Sequence, residues 1–233
     1  MPDKNEVDAK RRGWMGRALA AVGTLTALPL AAAPETNGAL VPPNRSGAMT
    51  LEQALARRRA VRRFTAQPLA LAAVSQLLWA AQGVTASEGR RTAPSAGALY
   101  PIELHLVAKS VDGLVAGVHR YLPATHALQL SISAQTGSAL PLAARGQEVV
   151  GAAAAVVVIT AVEERTARKY GARAGRYVAF EAGAASQNLA LQAAALGLGT
   201  VVIGAFDDAA VARALRLPPG ELPVVLMPIG IPG

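Results

Sequence analysis

The order of elements in residues 181–206, EAGAASQNLALQAAALGLGTVVIGAF, constrains the fold more than any other stretch. An Ala- and Gly-rich segment carrying Leu189, Leu191, Leu196 and Leu198 reads as the end of a long helix. Its small side chains admit a neighbouring helix close to the axis. Gly197 and Gly199 stop it. Residues 200–203 are mostly β-branched and read as a buried strand. Gly204 and Ala205 then leave bare main chain against which a flat ligand can lie. A dinucleotide-binding turn runs strand, glycines, helix, so that phosphate meets a helix N-terminus. Here the order is helix, glycines, strand, and that fingerprint is rejected.

The remaining chain is read around this stretch. Thr50-Leu51-Glu52-Gln53 forms a capping box that opens a helix, which runs into Arg57-Arg58-Arg59-Ala60-Val61-Arg62-Arg63-Phe64. Five arginines in seven residues either form a solvated face that suits a helix C-terminus or grip phosphate in bidentate fashion. A second helix is expected over 71–82 and a polar loop over 87–92. A short turn follows, with Ser95 as a candidate N-cap. Ile102, Leu104 and Leu106 alternate along a strand over 102–108. Short antiparallel strands are expected at 118–122 and 128–132, and a short helix near 138–144. Residues 153–161, AAAVVVITA, read as a central strand buried on both faces. A helix over 163–170 ends in Lys169 and Tyr170. Asp207 or Asp208 caps a helix to Leu215, and 224–229 is the last strand. Helices separate some strands and not others, so the class is α+β.

Composition narrows the function. The chain of 233 residues is large enough for one well-buried domain. It has no cysteine, which excludes disulfides, iron–sulfur clusters and thiol nucleophiles. His105, His119 and His126 lack any metal-ligand spacing and read as strand or turn residues. A formal charge of +8 favours anions in general, but the aromatic-interleaved basic patch of a single-strand nucleic-acid binder is missing. Residues 1–33 read as an export signal. Lys10-Arg11-Arg12 is followed by an apolar run from 18 to 30 and a small-residue cleavage site at 31–33. The paired arginines resemble a twin-arginine signal, and the apolar run is too short for a membrane span. The expectation is an exported, periplasmic protein without stable membrane insertion once the signal is cut. Residues 34–48 read as a linker and 49–233 as the folded domain.

Four motifs in that domain carry a family resemblance: RRRAVRRF, APSAGALYPIEL, RKYGAR and EAGAASQNLALQAAALGLGTVVIGAF. Together, in this order, they resemble the nitroreductase superfamily, most closely its SagB-type azoline dehydrogenase branch. The resemblance implies a three-layer α+β fold with a mostly antiparallel sheet, a homodimer, and one FMN per subunit at the dimer interface. It places Arg58 and Arg59 at the phosphate and ribityl chain, with Ala60 standing where the family usually has Ser. It places Arg62 at the pyrimidine edge, where a cation stabilises charge gained on reduction. Ser95 and Gly97 match a second flavin-side loop. Val202, Ile203, Gly204 and Ala205 match the stretch beside the isoalloxazine, where a backbone N–H reaches N5. Lys169 and Tyr170 match the base and acid of the azoline dehydrogenases. The implied activity is hydride transfer through flavin N5, with a small molecule or modified peptide as substrate and NAD(P)H as one donor. The other reading is a flavin- or peptide-binding protein that kept the fold and lost turnover.

Overall fold

The structure, a computed structural model, describes residues 37–133 and 139–233. The expected export signal lies outside the described residues. The body of the molecule is a seven-stranded sheet of order β1-β6-β5-β3-β7-β9-β8, with every neighbouring pair antiparallel. The strands are β1 (Asn37–Ala39), β3 (Ile102–Ala108), β5 (Gly117–Leu122), β6 (Ala127–Ser133), β7 (Ala155–Ala161), β8 (Gly199–Thr200) and β9 (Leu222–Gly230). Two short strands, β2 (Leu69–Ala70) and β4 (Val111–Asp112), pair in parallel apart from it. The helices are α1 (Leu51–Arg57), α2 (Leu71–Gln82), α3 (Ala139–Ala143), α4 (Glu148–Ala152), α5 (Glu164–Tyr170), α6 (Ala174–Ala195) and α7 (Asp208–Leu215).

The central strands sit where their side chains demand. All seven residues of β7 are buried, as an uninterrupted apolar run requires when both faces are covered. In β3, Ile102, Leu104 and Leu106 join one core with α2 and α6, while Val107 points into a second core with α3, α4 and α7. Two cores on opposite faces of one sheet make three layers, so the α+β expectation holds. Prolines 223 and 228 lie within β9 although β7 covers one edge. The other edge is paired to β8 only at Ile229 and Gly230, and this leaves room for residues that cannot donate to a ladder.

The helices start and stop where local chemistry directs. Thr50 and Gln53 close the capping box of α1 reciprocally, at 3.3 and 3.2 Å. Asp207 caps α7 by accepting the Ala210 N–H at 2.8 Å. Helix α6 buries Val178, Ala182, Ala185, Leu189 and Ala193, a stripe at helical spacing whose small members let α2 pack closely.

Several expectations are corrected. The strand expected at 200–203 is shorter and begins earlier. Only Gly199–Thr200 pairs as β8, and Ile203 adds an isolated bridge to Leu226. Helix α4 carries no sequence signal strong enough to separate it from the preceding loop. The stretch expected as a linker supplies β1, and its Leu40 is 8% exposed in the core. Beyond Leu40, the Val41 carbonyl accepts from Ser75 Oγ at 2.6 Å and from His126 Nε2 at 2.9 Å, and the Tyr121 hydroxyl meets His126 Nδ1 at 2.8 Å. The other histidines are also internal: His105 lies in β3 against Glu221 at 2.6 Å, and His119 in β5 against the Val115 carbonyl at 2.8 Å.

Candidate active site

The residues singled out in the sequence come together as two clusters. In the first, the chain leaves α1 and runs extended along β8 and the residues that follow β9. Ala60 bridges Thr200 in parallel, and Val61 N–H donates to the Thr200 carbonyl at 2.9 Å. Phe64 bridges Pro232, Thr65 N–H donates to Ile231 O at 2.9 Å, and Gly233 N–H donates to Arg63 O at 3.2 Å. Glycines make the approach possible. A Cβ on Gly199 would lie 2.6 Å from Val61 Cγ1, and one on Gly230 would lie 2.6 Å from Phe64 Cγ. Arg58 and Arg62 thereby flank the two residues that meet Gly199–Thr200, and the chain beyond Thr200 has Ile203 buried and Val202, Gly204 and Ala205 exposed.

The arginines of this cluster divide in two. Arg59 folds back, and its Nη1 donates to the carbonyls of Ala56 and Arg58, both at 2.8 Å. It therefore satisfies the end of α1, the bland alternative for a basic run at a helix C-terminus. Arg58 and Arg62 form no ion pair among the described residues. Thr200 Oγ1, under the same seam, is buried without a hydrogen-bond partner among the described residues. Guanidinium groups without an ion-pair partner among the described residues, with exposed main chain at Val202, Gly204 and Ala205, suit a ligand that brings acceptors and a flat ring.

The second cluster is built on the turn at 95–100. Ala96–Ala98 form a 3-10 turn in which Gly97 takes φ 62°, a left-handed value for which glycine pays no steric penalty. Ser95 does not cap this turn in the expected way. Its Oγ accepts the N–H of Tyr100, 2.8 Å away. Lys169 and Tyr170, at the end of α5, lie over Gly97. A Cβ there would come within 3.0 Å of both Lys169 Nζ and the Tyr170 hydroxyl. The Lys169 amine sits 5.6 Å from the Tyr170 ring centre, and Tyr177 from α6 meets Tyr170 edge-on at 4.8 Å. An amine and a phenol are thus presented side by side above exposed backbone, as proton transfer to or from a bound molecule requires.

Three residues that fix this turn escaped the sequence reading. Glu181, on the buried face of α6, accepts the Ala96 N–H at 2.8 Å. Burial pushes its carboxyl pKa up, against the pull of hydrogen bonds from Ala96 and Ser95 and the charge of Arg91. Arg165, one turn before Lys169 on α5, donates to the Tyr100 carbonyl at 2.9 Å and pairs with Glu103 at 2.7 Å. The Arg91 guanidinium lies 4.5 Å above the Tyr100 ring. Glu181 alone left a trace in the sequence: it is a carboxylate three residues after Val178 and four before Ala185 on an otherwise apolar stripe.

Comparisons with known proteins bear on the fold and the family. The model of the nitroreductase family matches residues 55–231. A protein of Methanocaldococcus jannaschii classed as a nitroreductase is 43% identical over 180 residues, covering 77% of this chain and 90% of its own. Among solved structures, a nitroreductase-type protein from Ralstonia eutropha JMP134 superposes with a TM-score of 0.75 at 32% identity, covering 85% of this chain and 90% of that one. A chain of the Escherichia coli microcin synthetase McbBCD complex, solved with truncated pro-MccB17 bound, gives 0.65 at 27% identity, covering 88% and 83%. The fold, the family match over most of the chain and the identity to the M. jannaschii protein lead to one assignment: the chain belongs to the nitroreductase family.

Proposed function

We propose that the protein is an FMN-dependent oxidoreductase in which the two clusters hold one flavin, and that its substrate is an azoline-like ring on a small molecule or modified peptide. The observation that carries this reading is the seam joining 60–65 to Gly199–Thr200 and to 231–233. Arg58 and Arg62, which form no ion pair among the described residues, flank it, and exposed main chain at Val202, Gly204 and Ala205 follows it. The peptide class draws support from the E. coli complex, whose solved structure contains a bound pro-peptide. The site is best completed by a homodimer in which the two clusters face each other across the interface. The paired arginines at the N-terminus fit export to the periplasm, where substrate dehydrogenation needs no supply of NAD(P)H.

Bound FMN supplies a two-electron acceptor that takes hydride at N5. The chain's own residues do the rest. Arg58 would bind the phosphate by charge-assisted hydrogen bonds. Arg62 would supply a cation that stabilises the charge gained on reduction, and the exposed main chain of Val202, Gly204 and Ala205 would offer N–H donors. Gly97, having no side chain of its own, leaves room for Lys169 Nζ and the Tyr170 hydroxyl above the turn. When an azoline becomes an azole, hydride leaves one ring carbon and a proton leaves its neighbour. Lys169 Nζ receives that proton, and the Tyr170 hydroxyl hydrogen-bonds the ring heteroatom. A two-electron oxidant such as oxygen or a quinone would be needed to balance the reaction.

The test is stopped-flow reduction of the reconstituted protein by a thiazoline peptide, set beside reduction by NADPH. Thiazole formed in step with flavin bleaching supports the reading. Bleaching by NADPH with no thiazole produced limits the protein to nitroreductase-type turnover, and bleaching by neither favours the non-catalytic flavin binder.

A further inference from the structure

We infer that Glu181 is a positioning residue whose buried carboxyl group holds the 95–100 turn in its left-handed course and so sets the surface that Lys169 and Tyr170 overhang. The inference rests on the oxidoreductase reading of that site and adds to it the residue that shapes it. The turn is unfavourable on its own. Gly97, Ala98 and Tyr100 have φ of 62°, 54° and 46°, and two of these are L-residues for which the left-handed region is costly. Its internal ties are few: Ala98 N–H to Ser95 O at 3.1 Å, Leu99 N–H to Ala96 O at 3.4 Å, and Tyr100 N–H to Ser95 Oγ at 2.8 Å. Something outside must hold it.

Glu181 is an improbable residue unless it does so. It is 5% exposed on a stripe made otherwise of Ala, Val, Leu and Ser, and it forms no ion pair among the described residues. A buried carboxyl without a paired cation is unfavourable for stability. An apolar side chain would pack there at less cost. What an apolar side chain lacks is the acceptor that reaches the Ala96 N–H at 2.8 Å. Ala96 directly precedes Gly97, where Lys169 Nζ and the Tyr170 hydroxyl converge. A local rule is therefore broken at the point where strain and candidate catalytic groups meet, as expected when stability is given up for geometry.

Two variants of the full chain separate positioning from plain structural support. Glu181→Met keeps the length of the side chain and removes the acceptor. Glu181→Gln keeps an amide oxygen in the same place. The cofactor-free protein is followed by amide hydrogen exchange, and the FMN-loaded protein by kcat and KM for NADPH-driven reduction of p-nitrobenzoate and for the thiazoline peptide. For Glu181→Met the expected results are a thermal midpoint at or above wild type, exchange at Ala96 to Leu99 faster by about tenfold, and kcat on the thiazoline peptide lower by about tenfold or more. KM stays within about twofold, and Glu181→Gln returns exchange and kcat to within about twofold of wild type. Wild-type exchange and kcat in Glu181→Met overturn the inference, as does equal loss in both variants. If wild type takes up no FMN, the oxidoreductase reading fails, and exchange in the turn still decides whether Glu181 holds it. If the turn loosens while kcat on the thiazoline peptide stays normal, the positioning role falls and the oxidoreductase reading stands.

Discussion

Where the arginine-rich segment meets β8 and the end of β9, nearly every tie is main chain to main chain, and the close fit depends on Gly199 and Gly230 lying under Val61 and Phe64. Where Lys169 and Tyr170 overhang Gly97, the ties are long-range and charged: Glu181 to Ala96, Arg165 to Tyr100, and Arg91 on the Tyr100 ring. The first region is rigid for the reason a sheet is rigid, since each added bond fixes the next. The second holds strained backbone by a few side chains from α5, α6 and the loop after α2, and each of them can be removed singly. A rigid wall suits gripping a cofactor, and an adjustable one suits meeting a substrate. This division predicts that substitutions in the first region change binding and stability, while those in the second change turnover.

The largest expected effect is on the substrate side. Lys169→Ala should lower thiazoline oxidation by about 100-fold to 10,000-fold, the usual contribution of a positioned general base. NADPH-driven reduction of a nitroaromatic should stay near wild type, because it draws no proton from carbon. Parallel loss of both activities would erase the distinction between the two regions. Next comes Gly230→Ala, whose methyl would meet the Phe64 ring. Overpacking of this kind costs about 1–3 kcal/mol. Denaturation midpoints should report it together with weaker flavin retention, whereas the activity per bound flavin should change little.

How much of this was visible in the sequence divides along the same line. The helix end and glycine stop before residue 200, the apolar run of β7 and the alternation in β3 each depend on neighbours in the chain, and all three appear, β7 starting two residues later than expected. Gly199 reads in the sequence as a helix stop, and the packing of Val61 against it comes only from the fold, as does the overhang of Lys169 and Tyr170 on Gly97. The clamps could not be anticipated either. Glu181 reaches a residue 85 positions away, and Arg165 one 65 positions away, and neither pairing leaves a periodic trace. Arg59 shows the converse: in sequence it is indistinguishable from Arg58, and only the local end of α1 decides that it binds carbonyls. The strand over 200–203 was overestimated because β-branched residues also suit an extended edge that lacks a continuous partner, and Val202 is 54% exposed there.

Smaller effects sharpen the comparison. Arg62→Ala removes an unpaired cation from the cofactor side. Losing a charge-assisted hydrogen bond of about 1.5–3 kcal/mol should weaken FMN binding by roughly tenfold to 100-fold, measured by fluorescence quenching, without altering the Lys169-dependent step. The pH dependence should separate two buried carboxyls by sign. Burial raises the Glu181 pKa in the folded state, so its contribution favours folding at low pH and is lost as pH rises through that raised value. For Glu221, burial alone would raise the pKa, but hydrogen bonds from His105 and Thr160 outweigh it and leave it lowered. Its contribution is present above the usual carboxylate range and is lost as pH falls. Urea midpoints measured from about pH 4 to pH 8 should therefore show Glu181→Gln gaining on wild type with rising pH and Glu221→Gln falling behind it. Slopes of the same sign would contradict the assignment of the two environments.

The central claim is that residues 58–65 and 199–205 form one wall of a flavin site, and titration of the full chain with FMN under fluorescence tests it most directly. The account predicts quenching that saturates at one FMN per chain and a yellow protein after gel filtration, with both lost when Arg58 and Arg62 are replaced together. A protein that stays colourless in excess FMN, or one whose FMN binding is untouched by the double replacement, would contradict it.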